Sequence, residues 1–165
     1  MSAYQEVLNQ EDETAELATR LARTLLPHLI NQKTIYIELL GDLGAGKTTF
    51  TRYLLKTLGV AGKIKSPTYT LCEPYSVTVD HATLNIHHFD LYRMKYPTEW
   101  IDAGFREAFT EAGLCLVEWP SQAGDTLPTP SLSIELTMQD DESRTCAITA
   151  HDAIGQGLVK NLQSS

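Results

Sequence analysis

The segment Gly41-Asp42-Leu43-Gly44-Ala45-Gly46-Lys47-Thr48 spells a complete phosphate-binding loop, and its setting constrains the fold more than any other stretch of the chain. It follows the apolar run Thr34–Leu40 and opens a helical pattern in which Phe50, Leu54 and Leu58 share one face. Strand, loop and helix therefore stand in the order that such a loop requires. Glycines let successive backbone N–H groups converge on phosphate oxygens, and the helix behind them offers its positive end. Lys47 can reach the β and γ phosphates, and the Thr48 hydroxyl can hold Mg²⁺. The motif predicts binding of a nucleoside triphosphate.

The 165 residues, 42% of them hydrophobic, suffice for one globular domain spanning 1–165. No stretch is apolar enough to span a membrane, and a secretory pattern is absent from the first residues, so a cytoplasmic location is expected. Cys72, Cys115 and Cys146 are widely spaced and odd in number. They read as buried, reduced thiols rather than a disulfide framework or zinc site. A formal net charge of −8 argues against broad electrostatic binding of nucleic acid. Between Asp42 and Glu73, however, no acidic residue occurs, while Lys47, Arg52, Lys56, Lys63 and Lys65 all fall there. That stretch reads either as a solvated helix face and loop or as a positive surface around the triphosphate.

Asp12 can cap a helix carrying Leu17, Leu21 and Leu25, with Pro27 at its end or at a kink. Thr34–Leu40 is expected as the first strand. Tyr69–Cys72 and Tyr75–Val79, interrupted at Glu73 and Pro74, should pair antiparallel with Leu84–Asp90. Thr98 can begin a helix with Ile101, Phe105 and Phe109 on one face. Leu114–Val117 reads as a buried central strand, and Ser131–Met138 with Arg144–Ala150 as a hairpin. A last helix can use Ile154, Leu158 and Leu162. The expected fold is α/β: a three-layer P-loop NTPase domain with a mixed, mainly parallel central sheet and an antiparallel hairpin.

Hydrolysis or transfer also needs carboxylates to order a metal and a water. In open α/β sheets these come from the carboxyl ends of other strands. Two acids end strand-like runs: Asp90 and Glu118. Glu118 is assigned to metal and water, and Asp90 as a second metal or catalytic carboxylate. Thr68 is either a threonine that senses the γ-phosphate or the first residue of a strand. His87 and His88, adjacent on a strand, point to opposite faces and cannot readily share a metal, so structural or supporting roles are expected. Trp119 can stack on a base or a partner, or pack in the core. Arg93 and Arg144 can neutralise phosphate or form surface ion pairs.

Taken together, Gly41–Thr49, Ser66–Tyr69, His88–Arg93 and Glu118–Pro120 resemble the motifs of the TsaE (YjeE) family, small bacterial P-loop ATPases required for threonylcarbamoyladenosine modification of tRNA. Order and spacing match from about Glu13 to the hairpin. The resemblance implies that Leu43, Gly44, Ala45, Gly46, Lys47, Thr48 and Thr49 hold ATP phosphates, and that Thr48 and Glu118 hold Mg²⁺. Asp90 would support catalysis and Thr68 would act as a switch. It further implies assembly with a TsaD-type transferase and a TsaB-type companion. That transferase moves the threonylcarbamoyl group onto adenosine 37 of tRNAs reading codons that begin with A, and the ATP cycle resets the complex. In the family Glu or Gln usually follows Glu-Trp-Pro, at a position read as a nucleotide contact beside Trp119; here Ser121 stands there. Ala18 stands where the family often has Gly.

Two other readings use the same loop. A small-molecule kinase would normally need an arginine-rich lid, and the sequence holds no such arginine cluster. A nucleotide-dependent adaptor would need binding without hydrolysis. A GTPase is disfavoured because no Asn-Lys-x-Asp motif occurs.

Overall fold

The computed structural model describes residues 2–67 and 69–165, so the expectation for Thr68 lies outside the described residues. One seven-stranded sheet organises the chain, in the order β1-β7-β6-β2-β5-β4-β3. The strands are β1 (Ala3–Leu8), β2 (Thr34–Leu40), β3 (Cys72–Val79), β4 (Ala82–Asp90), β5 (Gly113–Glu118), β6 (Leu132–Met138) and β7 (Arg144–Ala150). The four central strands β6, β2, β5 and β4 run parallel. Antiparallel strands flank them: β3 on β4, β7 on β6, and β1 on β7. The mixed, mainly parallel sheet and the hairpin are thus as the sequence implies.

Helices α1 (Glu11–Ile30), α2 (Lys47–Leu58) and α4 (Ala153–Ser164) share one sheet face. Their buried leucines, including Leu17, Leu21, Leu25, Leu54 and Leu158, pack on Ile35, Ile37, Leu39, Leu114 and Leu116 from alternate strand positions. The opposite face carries a thinner layer. Its helix α3 is only Glu99–Asp102, followed by a 3₁₀ turn over Arg106–Phe109 and another over Pro120–Ala123. The continuous helix expected from Thr98 is broken at Gly104, whose φ of 91° leaves the helical region. Phe105 and Phe109 instead cluster on Phe89, with ring centroids 5.6 and 5.3 Å away. Aromatic packing outweighs local helical periodicity here.

Other boundaries differ from expectation for identifiable reasons. β1 precedes α1, although alternate side chains of its first five residues stay exposed and only Leu8 is fully buried. α1 begins after Gln10, so Asp12 lies inside its first turn with Glu11 and Glu13, where acids favour the helix dipole. Pro27 neither ends nor caps α1, which continues to Ile30. β3 runs unbroken through Pro74 because it is an edge strand, where a missing N–H is tolerated. All three cysteines are buried free thiols, and burial pushes each up to about 12. Among the described residues no helix is long and apolar enough to cross a membrane.

α4 descends onto the sheet at Gly155, where an added Cβ would lie 2.0 Å from the Ser131 carbonyl oxygen. Gly157, two residues on, faces open space. Ordinary helix propensity should therefore hold at one glycine and reverse at the other. Gly157→Ala is expected to raise stability by about 0.5–1 kcal/mol, and Gly155→Ala to lower it by about 1–3 kcal/mol, as read by urea unfolding.

Candidate functional site

β2 lies between β5 and β6, so its carboxyl end delivers the phosphate loop beside the ends of the other parallel strands. Two loop glycines have stringent reasons to be glycine. Gly41 has φ 141°, and a Cβ there would meet the Leu136 carbonyl oxygen at 2.4 Å. Gly46 has φ 104° and leads directly into α2, with the Arg144 Nε 3.0 Å from where a Cβ would sit. Arg144, at the start of β7, donates from Nε to the Ala45 carbonyl at 2.9 Å and from a terminal nitrogen to the Gly44 carbonyl at 3.4 Å. Holding those carbonyls turns the opposing amide N–H groups away from the guanidinium. Arg144 is thus a strut of the loop as well as a lining residue, a role that a lone arginine in sequence does not announce.

Leu43, Gly44, Gly46, Lys47, Thr48, Thr49, Ser66, Asp90, Glu118, Trp119 and Arg144 line one cleft of ≈ 330 Å³. Residues 100 positions apart in sequence, Gly44 in the loop and Arg144 in β7, are therefore gathered around one space. Ala45 and Ser121 line a neighbouring cleft of ≈ 530 Å³, together with Asp42, Glu135 and Met138. Leu43, Lys47 and Trp119 border both. Ser121 consequently faces the second space rather than the one holding Thr48 and the two carboxylates. Leu43 is 69% exposed at the rim.

Asp90 and Glu118 are cross-strand neighbours at the ends of β4 and β5. The Tyr92 N–H donates to Asp90 Oδ1 at 3.0 Å. Burial raises the Asp90 carboxyl above its ordinary value, opposed by the Tyr92 N–H; Glu118 raises it further, while His88 and Lys47 act the other way. Lys47 is 5% exposed. Its ammonium donates to the Gly41 carbonyl at 2.5 Å and lies 3.8 Å from the centre of the Trp119 ring. Burial lowers the Lys47 ammonium, while Glu118, Asp90 and Asp42 support its charge. Trp119 adopts a left-handed backbone conformation, φ 57°, that projects its ring over the loop. It also contacts Tyr92 at 5.0 Å between ring centroids, so it is a site residue rather than a core one.

The two histidines divide as strand geometry predicts. His87 stacks near Phe89 on the α3 face, and burial lowers its imidazole. His88, 2% exposed, points to the other face and bonds Glu118 Oε2 from Nε2 at 2.7 Å. Arg93 lies over the exposed Tyr69 ring, 4.8 Å from its centre, and does not line the cleft.

Comparison with known proteins matches this geometry to a family. The profile described as "Threonylcarbamoyl adenosine biosynthesis protein TsaE" covers residues 8–146. The chain belongs to the TsaE family. It is 35% identical over 159 residues to the tRNA threonylcarbamoyladenosine biosynthesis protein TsaE of Haemophilus influenzae, spanning 96% of this chain and 97% of that one. It is 40% identical over 114 residues to the TsaE protein of Bacillus subtilis, covering 69% and 68% of the two chains. The crystal structure of Bacillus subtilis YdiB superposes with a TM-score of 0.77 at 28% identity, covering 99% of this chain and 97% of that one. The TsaE assignment therefore extends to the sheet architecture as a whole.

The Arg144 strut predicts a measurable effect. Arg144→Ala should weaken triphosphate binding by about tenfold, the equivalent of roughly one net hydrogen bond, in a titration with a fluorescent ATP analogue.

Proposed function

We propose that this chain is a magnesium-dependent ATPase subunit required for threonylcarbamoylation of adenosine 37 in tRNAs reading codons that begin with A. The observation that carries the reading is the meeting of Lys47, Thr48, Asp90 and Glu118 in one cleft. TsaE membership supports the pathway, since the relatives' names place them in tRNA threonylcarbamoyladenosine biosynthesis.

In this reading the loop from Leu43 to Thr49 wraps the phosphates with backbone N–H groups, and α2 turns its positive end toward them. Lys47 leaves the Gly41 carbonyl and the Trp119 ring to meet the β and γ phosphates. The donor set for a metal is all oxygen: the Thr48 hydroxyl and the Asp90 and Glu118 carboxylates. It fits a hard cation such as Mg²⁺, which usually takes one or two carboxylates and completes its shell with phosphate and water. Among the described residues no group of three or more His, Cys, Asp or Glu side chains is placed to hold a metal. Held by these residues, Mg²⁺ would supply charge neutralisation to the phosphates. Asp90 and Glu118 also stand where an attacking water can be oriented. The absent Asn-Lys-x-Asp motif favours adenine over guanine.

The ATP cycle then serves a larger assembly, with a TsaD-type transferase and a TsaB-type companion supplying contact to tRNA. The test measures ATP affinity, ATP turnover with and without both partners, and modified tRNA over many turnovers. Lys47→Ala should lose at least about tenfold in ATP affinity, and Glu118→Ala should cut hydrolysis by about 100-fold or more. Partner proteins should accelerate the wild-type rate. Many rounds of modification by Glu118→Ala would instead establish a nucleotide-dependent adaptor, and acceleration by a small acceptor alone would establish a kinase.

A further inference from the structure

His88 is a buried polar side chain behind the cleft, bonded to Glu118, which lines it. Along β4, Leu84, Ile86, His88 and Asp90 face the same side of the sheet, as do Leu114, Leu116 and Glu118 along β5. A leucine would continue this apolar series at position 88 without any polar group to satisfy. The imidazole instead lies in the core with Nδ1 buried and unpartnered. Such an orphan is costly and needs a compensating role for the other ring nitrogen.

That role is visible in the register. His88 pairs across the ladder with Leu116, and Asp90 pairs with Glu118, so His88 is the diagonal neighbour of Glu118. A carboxylate only accepts, so Nε2 carries the hydrogen and donates it to Glu118 Oε2 at 2.7 Å. The bond ties Glu118 to the residue diagonal to it and not to the carboxylate directly opposite. Without it, two acids on adjacent strand ends would repel and splay, since like charges placed opposite each other are unfavourable. The bond occupies Oε2 of Glu118, a residue that lines the cleft, and leaves Oε1 outside that bond.

We infer that His88 is a positioning residue, whose Nε2–H fixes the Glu118 carboxylate in the orientation that accepts the divalent cation. This rests on the reading of Glu118 as a metal ligand given above. Histidines and carboxylates that hold a ligand in place from behind commonly govern metal affinity by about 10–100-fold.

The experiment measures Mn²⁺ binding to the protein with a non-hydrolysable ATP analogue by electron paramagnetic resonance, and analogue binding in EDTA by calorimetry. His88→Leu keeps an apolar side chain of similar reach but has no donor. It should weaken Mn²⁺ about tenfold or more while metal-free analogue affinity stays within about twofold. His88→Gln, whose amide nitrogen can take the place of Nε2, should restore most of the lost affinity. A purely structural role would lower both affinities together and would not be rescued by glutamine, which overturns the proposal. Wild-type Mn²⁺ affinity in His88→Leu overturns it too. If His88→Leu does not fold, the comparison of His88→Gln with His88→Met decides, with equal Mn²⁺ affinity in the two counting against the proposal. Glu118→Gln separates the two levels of inference. Loss in Glu118→Gln without loss in His88→Leu sinks only the positioning role, whereas no loss in Glu118→Gln sinks the metal-ligand reading beneath it.

Discussion

The apposition of two carboxylates, Asp90 and Glu118, at the last residues of adjacent parallel strands is the constraint on which the site depends. Parallel pairing makes β4 and β5 finish on the same edge as β2, from which the phosphate loop springs. The register then decides which residues finish together. A slip of one residue between β4 and β5 would turn one of these acids to the opposite face and separate the pair. Helices α1, α2 and α4, packed on the leucine and isoleucine face, protect that register by tying it to the main core.

Close carboxylates carry an electrostatic cost, and the cleft distributes it among several partners. Lys47 stands near both acids, the Tyr92 N–H supports Asp90, and His88 holds Glu118. The same lysine is engaged by the Gly41 carbonyl and the Trp119 ring. Lys47 is therefore satisfied by groups of the chain itself.

Much of this arrangement was legible in the residues. The loop, the strand before it and the two acids ending apolar runs have local signatures, so Lys47, Thr48, Asp90 and Glu118 could be assembled before any coordinates. β1 was not legible, because a half-exposed strand before a helix leaves little periodic signal beyond Leu8. The turn at Gly104 was hidden behind a convincing helical spacing of Ile101, Phe105 and Phe109, and tertiary aromatic contacts decided the outcome. Arg144 and His88 needed three dimensions for a different reason. Each acts on a residue far along the chain, Arg144 on Gly44 and Ala45, His88 on Glu118, and neither partner is marked by spacing. Ser121, which the resemblance groups with the nucleotide, lines the neighbouring cleft together with Ala45, Lys47 and Trp119.

The segments leaving the two carboxylates are stitched to each other on the thin face of the sheet. The Leu91 N–H donates to the Glu118 carbonyl, and Gln122 Nε2 donates to the Tyr92 carbonyl at 2.7 Å. Further along, Trp100 Nε1 donates to Thr126 Oγ1 at 2.8 Å, and that hydroxyl also reaches the Ala123 carbonyl. These bonds make one mechanical plate of two stretches that are remote in sequence. Pressure on its outer surface would be delivered to both acids and to the Trp119 ring at once, as a lever moves everything fastened to it.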